Sequence, residues 1–167
     1  MNVNQAYYLL FKTIMSQGQD SQQVMRNSRA LLLRLLEEVG DDACLTSVSY
    51  GAVSGTMGGS PALHRFPNKM GNFVFEALQV VATEFAGDPR AVFLSAGELK
   101  SRDLLIESLV QFPGIAEHKA KVAATIAGAY FSEERGVEHW ESAASICPQL
   151  VHSLDDEIEM LHEIGRL

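Results

Sequence analysis

The chain has only two cysteines, fewer basic than acidic residues, and no long apolar run. Cys44 and Cys147 are too far apart to form a CxxC pair, so we expect no zinc or iron–sulfur site and predict no metal or other cofactor. The 13 basic residues are outnumbered by 21 acidic ones, and the formal net charge of −8 argues against an extended DNA-coating surface. No apolar segment approaches the ~18–20 residues that cross a bilayer, and the first residues lack a secretory signal pattern. We therefore expect a cytoplasmic protein with no membrane partner.

The remaining composition, 47% hydrophobic and 20% charged, is typical of an ordinary globular protein. A length of 167 residues predicts a single domain over 1–167. Apolar residues recur at helical spacing in most of the chain, and no strand-rich half is visible. We therefore predict an all-α domain of about seven or eight helices. The segments with this spacing begin near Ala6, Asp20, Asn72, Pro89, Ser101, Ala120, Val137 and Ser153.

Residues 41–70 have a different pattern, because glycine and proline interrupt every apolar period. We predict one long Gly-rich loop here, with a short strand over Thr46–Tyr50 as its only order. Loops of this length are commonly lids or binding segments. His64, Arg65 and Lys69 near its end suggest phosphate binding, but the Gly-Lys-Ser/Thr ending of a nucleotide-binding P-loop is absent.

The segment Phe112–Ala120 places Pro113 and Gly114 between two strongly apolar helical patterns. This arrangement predicts a helix-hairpin-helix turn, in which backbone N–H groups and the positive end of the second helix approach a DNA phosphate. The contact would be independent of base sequence. A simple helix–helix turn without a ligand is the alternative. The candidate phosphate-binding residues are Pro113, Gly114, Ala116, Lys119 and Lys121.

Phe112-Pro113-Gly114-Ile115 through Ala120 resembles the Pro-Gly-Ile-Gly hairpin of the helix-hairpin-helix DNA glycosylase superfamily, with Ala116 in place of the second glycine. Ile14–Asp20 is similar to the Gln-containing helix end of that superfamily, and Gly87–Ala91 is similar to one of its helix connections. The resemblance covers about two thirds of the chain, loosely, and implies a glycosylase-like helical fold that acts on DNA in base excision or base modification.

The resemblance also indicates candidate catalytic residues. His118 lies where many members of the superfamily have a catalytic lysine. No aspartate stands at the matching later position, where Glu134 and Glu138 are the available carboxylates. Gln17 and Gln19 are candidates for contact with a base, although amides that cap a helix end explain them equally well.

Two alternatives remain open. Phe112–Gly114 also resembles an earlier Gly-Phe/Tyr-x-x-x-Lys-Ala segment of the superfamily, which would put the true hairpin beyond Leu167 and make the chain an incomplete relative. The second alternative is a non-catalytic helical module that binds another protein through its acidic face or through residues 41–70.

Overall fold

The computed structural model describes residues 1–18, 20–40, 44–135 and 147–167. These residues contain eight α-helices, which confirms the prediction of an all-α fold. The helices are α1 (Val3–Met15), α2 (Ser21–Val39), α3 (Tyr50–Gly58), α4 (Pro67–Glu84), α5 (Arg90–Phe93), α6 (Arg102–Leu109), α7 (Glu117–Arg135) and α8 (Pro148–Ile164). A 3-10 helix covers Leu45–Ser47. The strands β1 (Leu94–Ser95) and β2 (Glu98–Leu99) pair antiparallel, with Leu94 opposite Leu99.

Helix α1 is the central helix of the core. Every residue from Gln5 to Met15 is buried, so the polar side chains of this helix lie inside the protein together with the apolar ones. The Gln5 side chain donates to the hydroxyl of Tyr130 at 2.7 Å and to the carbonyl of Leu161 at 2.8 Å, whereas the hydroxyl of Tyr8 has no hydrogen-bond partner among the described residues. Asn2 and Gln5 cap the first turn reciprocally. Other helices therefore surround α1 on all sides.

Helices α2 and α7 have the features that their sequences predict. The Asp20 side chain accepts hydrogen bonds from the first-turn N–H groups of α2, and the helix ends at Gly40. Residues 123–132 of α7 are all buried, which agrees with their small and apolar composition. The small side chains allow neighbouring helices to approach α7 closely.

The prediction of an irregular loop over residues 41–70 was wrong. Residues 50–58 form α3 and α4 begins at Pro67. In place of the strand predicted at Thr46–Tyr50, the chain has the end of the 3-10 helix, the two extended residues Val48 and Ser49, and the start of α3. Val53 and Met57, one turn apart, are the buried residues of α3. The backbone of Gly71 in α4 packs against this helix, since a Cβ atom added there would be in ordinary van der Waals contact with the Met57 Cβ at 3.6 Å. The segment is therefore ordered by helix packing despite its glycine content.

Other helix boundaries differ from the predictions by a few residues. Helix α8 begins at Pro148, ahead of the predicted Ser153, since proline is tolerated in a first turn. The helix predicted near Val137 lies outside the described residues. Among the described helices, none combines the length and apolarity needed to cross a bilayer.

Candidate nucleic-acid interface and adjoining cavity

The turn between α6 and α7 lies at the predicted position. It is held by the side chain of Phe112, which is buried and stacks on Phe85 with ring centroids 5.7 Å apart. Gly114 adopts a positive φ of 77°, a conformation that favours glycine. The Phe112 N–H donates to the Leu109 carbonyl, and the Ile115 N–H donates to the Phe112 carbonyl. Pro113 and Gly114 therefore form a turn between two helices, as their sequence predicts.

The Gly114 backbone packs directly against Phe73 of α4. A Cβ atom added at Gly114 would lie 2.7 Å from Cδ2 of Phe73, closer than real Cβ contacts allow. Gly114 thus meets two requirements, a positive φ and close contact with an aromatic ring. The turn is fixed against α4 before any ligand binds.

Lys119, a predicted phosphate contact, has a structural role in this turn. Its ammonium donates to the carbonyl of Gly114 at 2.9 Å and to the carbonyl of Ile14 at 3.0 Å. It thereby links the turn to the C-terminal end of α1, where a cation is favourable. Burial, and secondarily the charge of Lys69, lowers the pKa of Lys119. Since an ammonium has three N–H donors, one remains for a phosphate.

The other predicted phosphate-binding residues lie around the same turn. Pro113 and Gly114 are half-buried, and Ala116 is exposed at the start of α7. Lys121 forms an ion pair with Glu117 at 2.7 Å, so its charge is balanced by a neighbour one turn away.

Arg65, Lys69 and Lys119 together form what we call the basic patch. The Arg65 guanidinium lies over the ring of Phe66 at 4.8 Å and is packed against Gly18, while the ammonium of Lys69 lies 5.6 Å from the ring of Phe73. Neither Arg65 nor Lys69 forms an ion pair within the described part of the chain. The patch therefore carries uncompensated positive charge on a protein whose net charge is −8.

The aromatic part of the patch was not predicted. Phe66 is 48% exposed, and it lies beside Arg65 at the N-terminal end of α4. The sequence signal was the run His64-Arg65-Phe66, interpreted as part of a loop. The structure combines this exposed ring with the Arg65 guanidinium, which lies 4.8 Å from its centroid.

His64 lies beneath this patch and is 3% exposed. Its Nδ1 atom accepts a hydrogen bond from the Phe66 N–H at 3.0 Å, which fixes the neutral tautomer with a proton on Nε2. Burial lowers the pKa of His64, and the nearby charges of Arg65 and Lys119 act in the same direction. The His64 ring is therefore neutral at pH 7, and its hydrogen bond to Phe66 orders the backbone next to Arg65.

A cavity of about 640 Å³ adjoins the α7 N-terminus, between α1, α2, α7 and α8. His118 is exposed and lines this cavity together with Lys119, which also belongs to the basic patch. The residues that line it are Lys12, Thr13, Ser16, Asp20, Ser21, Gln22, Val24, His118, Lys119, Val122, Cys147, Leu150, His152, Ser153, Asp156 and Glu157. Its volume is within the range of ~300–1,000 Å³ that is usual for small-molecule sites.

The wall of the cavity contains a buried ion pair. The Nζ atom of Lys12 lies 2.6 Å from Oε1 of Glu157, and the two side chains are 7% and 1% exposed. Burial raises the pKa of Glu157, and the charge of Lys12 opposes this effect. No residue pattern in the sequence indicated this pair, because Lys12 and Glu157 are distant in sequence and each lies in an ordinary helical segment.

The remaining predicted site residues are not brought together. Gln17 is exposed just after α1, while Gln19 and Glu138 lie outside the described residues. Glu134 belongs to the last turn of α7, and its side chain also lies outside the described part of the structure. Within the described ranges, no three histidine, cysteine or acidic residues form a group that could hold a metal ion.

No protein-family model, curated protein sequence or solved structure matches this chain. The resemblance to the helix-hairpin-helix glycosylases therefore stays a prediction, and the functional argument depends on the geometry of this chain.

Proposed function

We propose that this protein binds DNA through the turn between α6 and α7 and the basic patch beside it. The observation that supports the proposal is the position of two unpaired cations, Arg65 and Lys69, next to a glycine-containing turn that opens a long helix. The N–H groups of a first helical turn lack partners within the helix and favour an anion. A phosphate at the N-terminal end of α7 would be attracted both by the side-chain cations Arg65 and Lys69 and by the backbone N–H groups of the first helical turn.

The basic patch is positively charged, although the protein as a whole is acidic. Arg65 and Lys69 have no carboxylate partner among the described residues, and Lys119 retains one ammonium hydrogen for a phosphate oxygen. A few such contacts suffice for a local grip on the DNA backbone. The exposed ring of Phe66 adds a surface on which an unpaired base can stack.

The glycosylase resemblance extends the proposal to base excision or base modification. The chemical step would require an acid or a base beside an extruded nucleotide, and His118, Glu134 and Glu138 are the candidates. Release of bases from damaged or modified duplexes tests this extension. If His118→Ala, Glu134→Gln and Glu138→Gln all leave base release intact, the catalytic assignment is wrong.

DNA binding is best tested by fluorescence anisotropy of labelled duplex and single-stranded oligonucleotides across salt concentrations. We expect binding that weakens with salt, and the double variant Arg65→Glu/Lys69→Glu should reduce the slope of log K against log salt by about 1.8 on a duplex, or 0.9 per lost contact. Absence of binding by the unaltered protein at low salt would exclude the proposal.

Arg166 provides a control, because Arg166→Glu changes the charge of the protein by the same amount as Arg65→Glu. It is exposed at the opposite end of α1, where Asn2 donates to the Gly165 carbonyl at 3.1 Å. The basic patch lies near Ile14, about 20 Å away along a helix that rises ~1.5 Å per residue. Arg166→Glu should leave DNA binding close to that of the unaltered protein. If it weakens binding as much as Lys69→Glu does alone, the effect is one of net charge and the patch is not the binding surface.

An acidic face on α8 favours a second candidate function, binding of a basic protein segment. Asp155, Asp156, Glu159 and Glu163 are all exposed along this helix. The anisotropy titration separates the two candidates, because a protein-binding module would show no salt-dependent affinity for DNA.

A further inference from the structure

We infer that the cavity between α1, α2, α7 and α8 binds a small neutral molecule whose hydrogen-bond donor and acceptor lie side by side, as in an amide or a lactam. This inference does not depend on DNA binding through Arg65 and Lys69, because neither of these residues lines the cavity. It follows from the hydrogen-bonding capacity that the buried ion pair leaves unused.

The first unused group is a carboxylate oxygen. Glu157 is 1% exposed, and neither of its carboxylate oxygens has a hydrogen-bond partner among the described residues. Oε1 has the ion pair with Lys12, which leaves Oε2 with no partner of either kind. A buried polar atom without a partner is rare because it forfeits the hydrogen bonds it had in water. Since Glu157 also lines the cavity, a donor that enters the cavity can supply the missing bond.

The second unused group is the ammonium of Lys12. It has three N–H donors, and its one described partner is Oε1 of Glu157 at 2.6 Å. Lys12 lines the same cavity as Glu157. A donor and an acceptor therefore lie next to each other on one wall, and the pair that carries them has no net charge.

Several other polar groups of the cavity already have hydrogen-bond partners within the chain, and one N–H donor of Lys119 remains. Asp20 caps α2, Asp156 accepts from the Gln22 side chain at 2.6 Å, and Lys119 donates to two backbone carbonyls. An anionic ligand would face the unpartnered oxygen of Glu157, and a cationic ligand would face Lys12. A neutral group that donates to Glu157 and accepts from Lys12 satisfies both.

The rest of the cavity suits an apolar ring. Val24, Val122 and Leu150 contribute aliphatic walls, and about 640 Å³ accommodates a small ring compound. Sites of this kind usually combine an apolar lining with a few polar groups that fix orientation. The ligand class is thus a planar compound with an amide-type edge.

Three compounds of nearly equal shape test this assignment: benzamide, benzoate and benzamidinium. Their binding is followed by chemical-shift changes in the backbone amides around the cavity of the full chain. We expect benzamide to shift the resonances near Lys12 and Glu157, with an affinity at least about tenfold above that of either charged analogue. Equal affinity of the three compounds, or no shift with benzamide because the cavity holds water only, would overturn the inference.

The matched variant is Lys12→Met/Glu157→Leu, which removes both charges together and avoids a lone buried charge. A cooperative thermal transition first establishes that it is folded. It should bind benzamide at least about tenfold more weakly, because hydrogen bonds to both charged groups are lost. Unchanged benzamide affinity in the folded variant would contradict the assignment, while DNA binding through Arg65 and Lys69 should be unaffected.

If the double variant does not fold, His118→Ala and Ser16→Val in the unaltered ion-pair background locate the site. Both residues line the cavity, and neither is a member of the ion pair. Altered benzamide affinity in these variants supports binding in the cavity, whereas affinity unchanged in both places benzamide elsewhere and overturns the inference.

Discussion

The ammonium of Lys12 lies 2.6 Å from the carboxylate of Glu157, and this ion pair joins the buried helix α1 to α8 inside the protein. Because water is excluded, each charge depends on the other for compensation. The pair is therefore a point at which a single substitution has a larger effect than a double one.

We expect Lys12→Met to lower the free energy of unfolding by about 3–5 kcal/mol, since it leaves Glu157 buried without a counter-charge. Lys12→Met/Glu157→Leu should recover most of this loss. Urea denaturation at pH 7 measures both. A double variant as unstable as the single one would show that packing, and not charge compensation, makes Lys12 important.

Gly114→Ala should lower the free energy of unfolding more than Gly97→Ala does. Both glycines have positive φ, which costs a residue with a side chain about 1–2 kcal/mol. Gly97 has no atom within 4 Å of an added Cβ, whereas Gly114 faces the ring of Phe73 at 2.7 Å. Overpacking adds a further ~1–3 kcal/mol at Gly114.

A double-mutant cycle identifies the source of this difference. Phe73→Leu combined with Gly114→Ala should recover the overpacking contribution and leave the backbone cost. If thermal denaturation shows equal losses for Gly114→Ala and Gly97→Ala, the close contact with Phe73 is of no energetic importance.

Lys119→Met should lower stability by about 1–3 kcal/mol, because the carbonyls of Ile14 and Gly114 lose a charged donor. The matched control is Lys121→Met on the same helix. Lys121 pairs with Glu117 on the surface, and its removal should produce no measurable change. Equal stability of the two variants would mean that Lys119 does not hold the turn to α1.

His64 predicts a pH dependence of stability. Its pKa is lowered in the folded protein, so the unfolded chain takes up this proton at a higher pH than the folded chain does. The stabilisation is complete above the ordinary histidine pKa of about 6.5 and is lost as the pH falls through the folded pKa. We expect His64→Gln to remove this part of the acid sensitivity.

The measurement is the free energy of unfolding between pH 8 and pH 4, together with an NMR titration of the His64 ring. Arg65 and Lys119 are the charges that face this ring, so Arg65→Gln should raise the pKa of His64. A titration of His64 at or above its ordinary value would contradict the prediction.

Much of the helical order could be predicted, because local signals determine it. Asp20 and Gly40 mark the two ends of α2, and Pro113-Gly114 marks the turn before α7. These signals act through the backbone of a few adjacent residues, so the sequence contains them directly.

Residues 41–70 were not predictable in the same way. Glycine is typical of loops, and only the burial of Val53 and Met57 in the core shows that this segment forms a helix. The Lys12–Glu157 pair also depends on a contact between distant segments. The sequence therefore predicted the turn of the candidate site, but it did not predict the cavity or the exposed ring of Phe66.

The complete burial of Gln5–Met15 has a consequence for the exchange of backbone hydrogens with solvent. Opening of the outer helices one at a time leaves the amide groups of α1 covered by the others. Their deuterium uptake should therefore proceed through unfolding of the whole core, with protection close to the global free energy. Helix α1 would then be the last segment of the described chain to exchange its amide hydrogens.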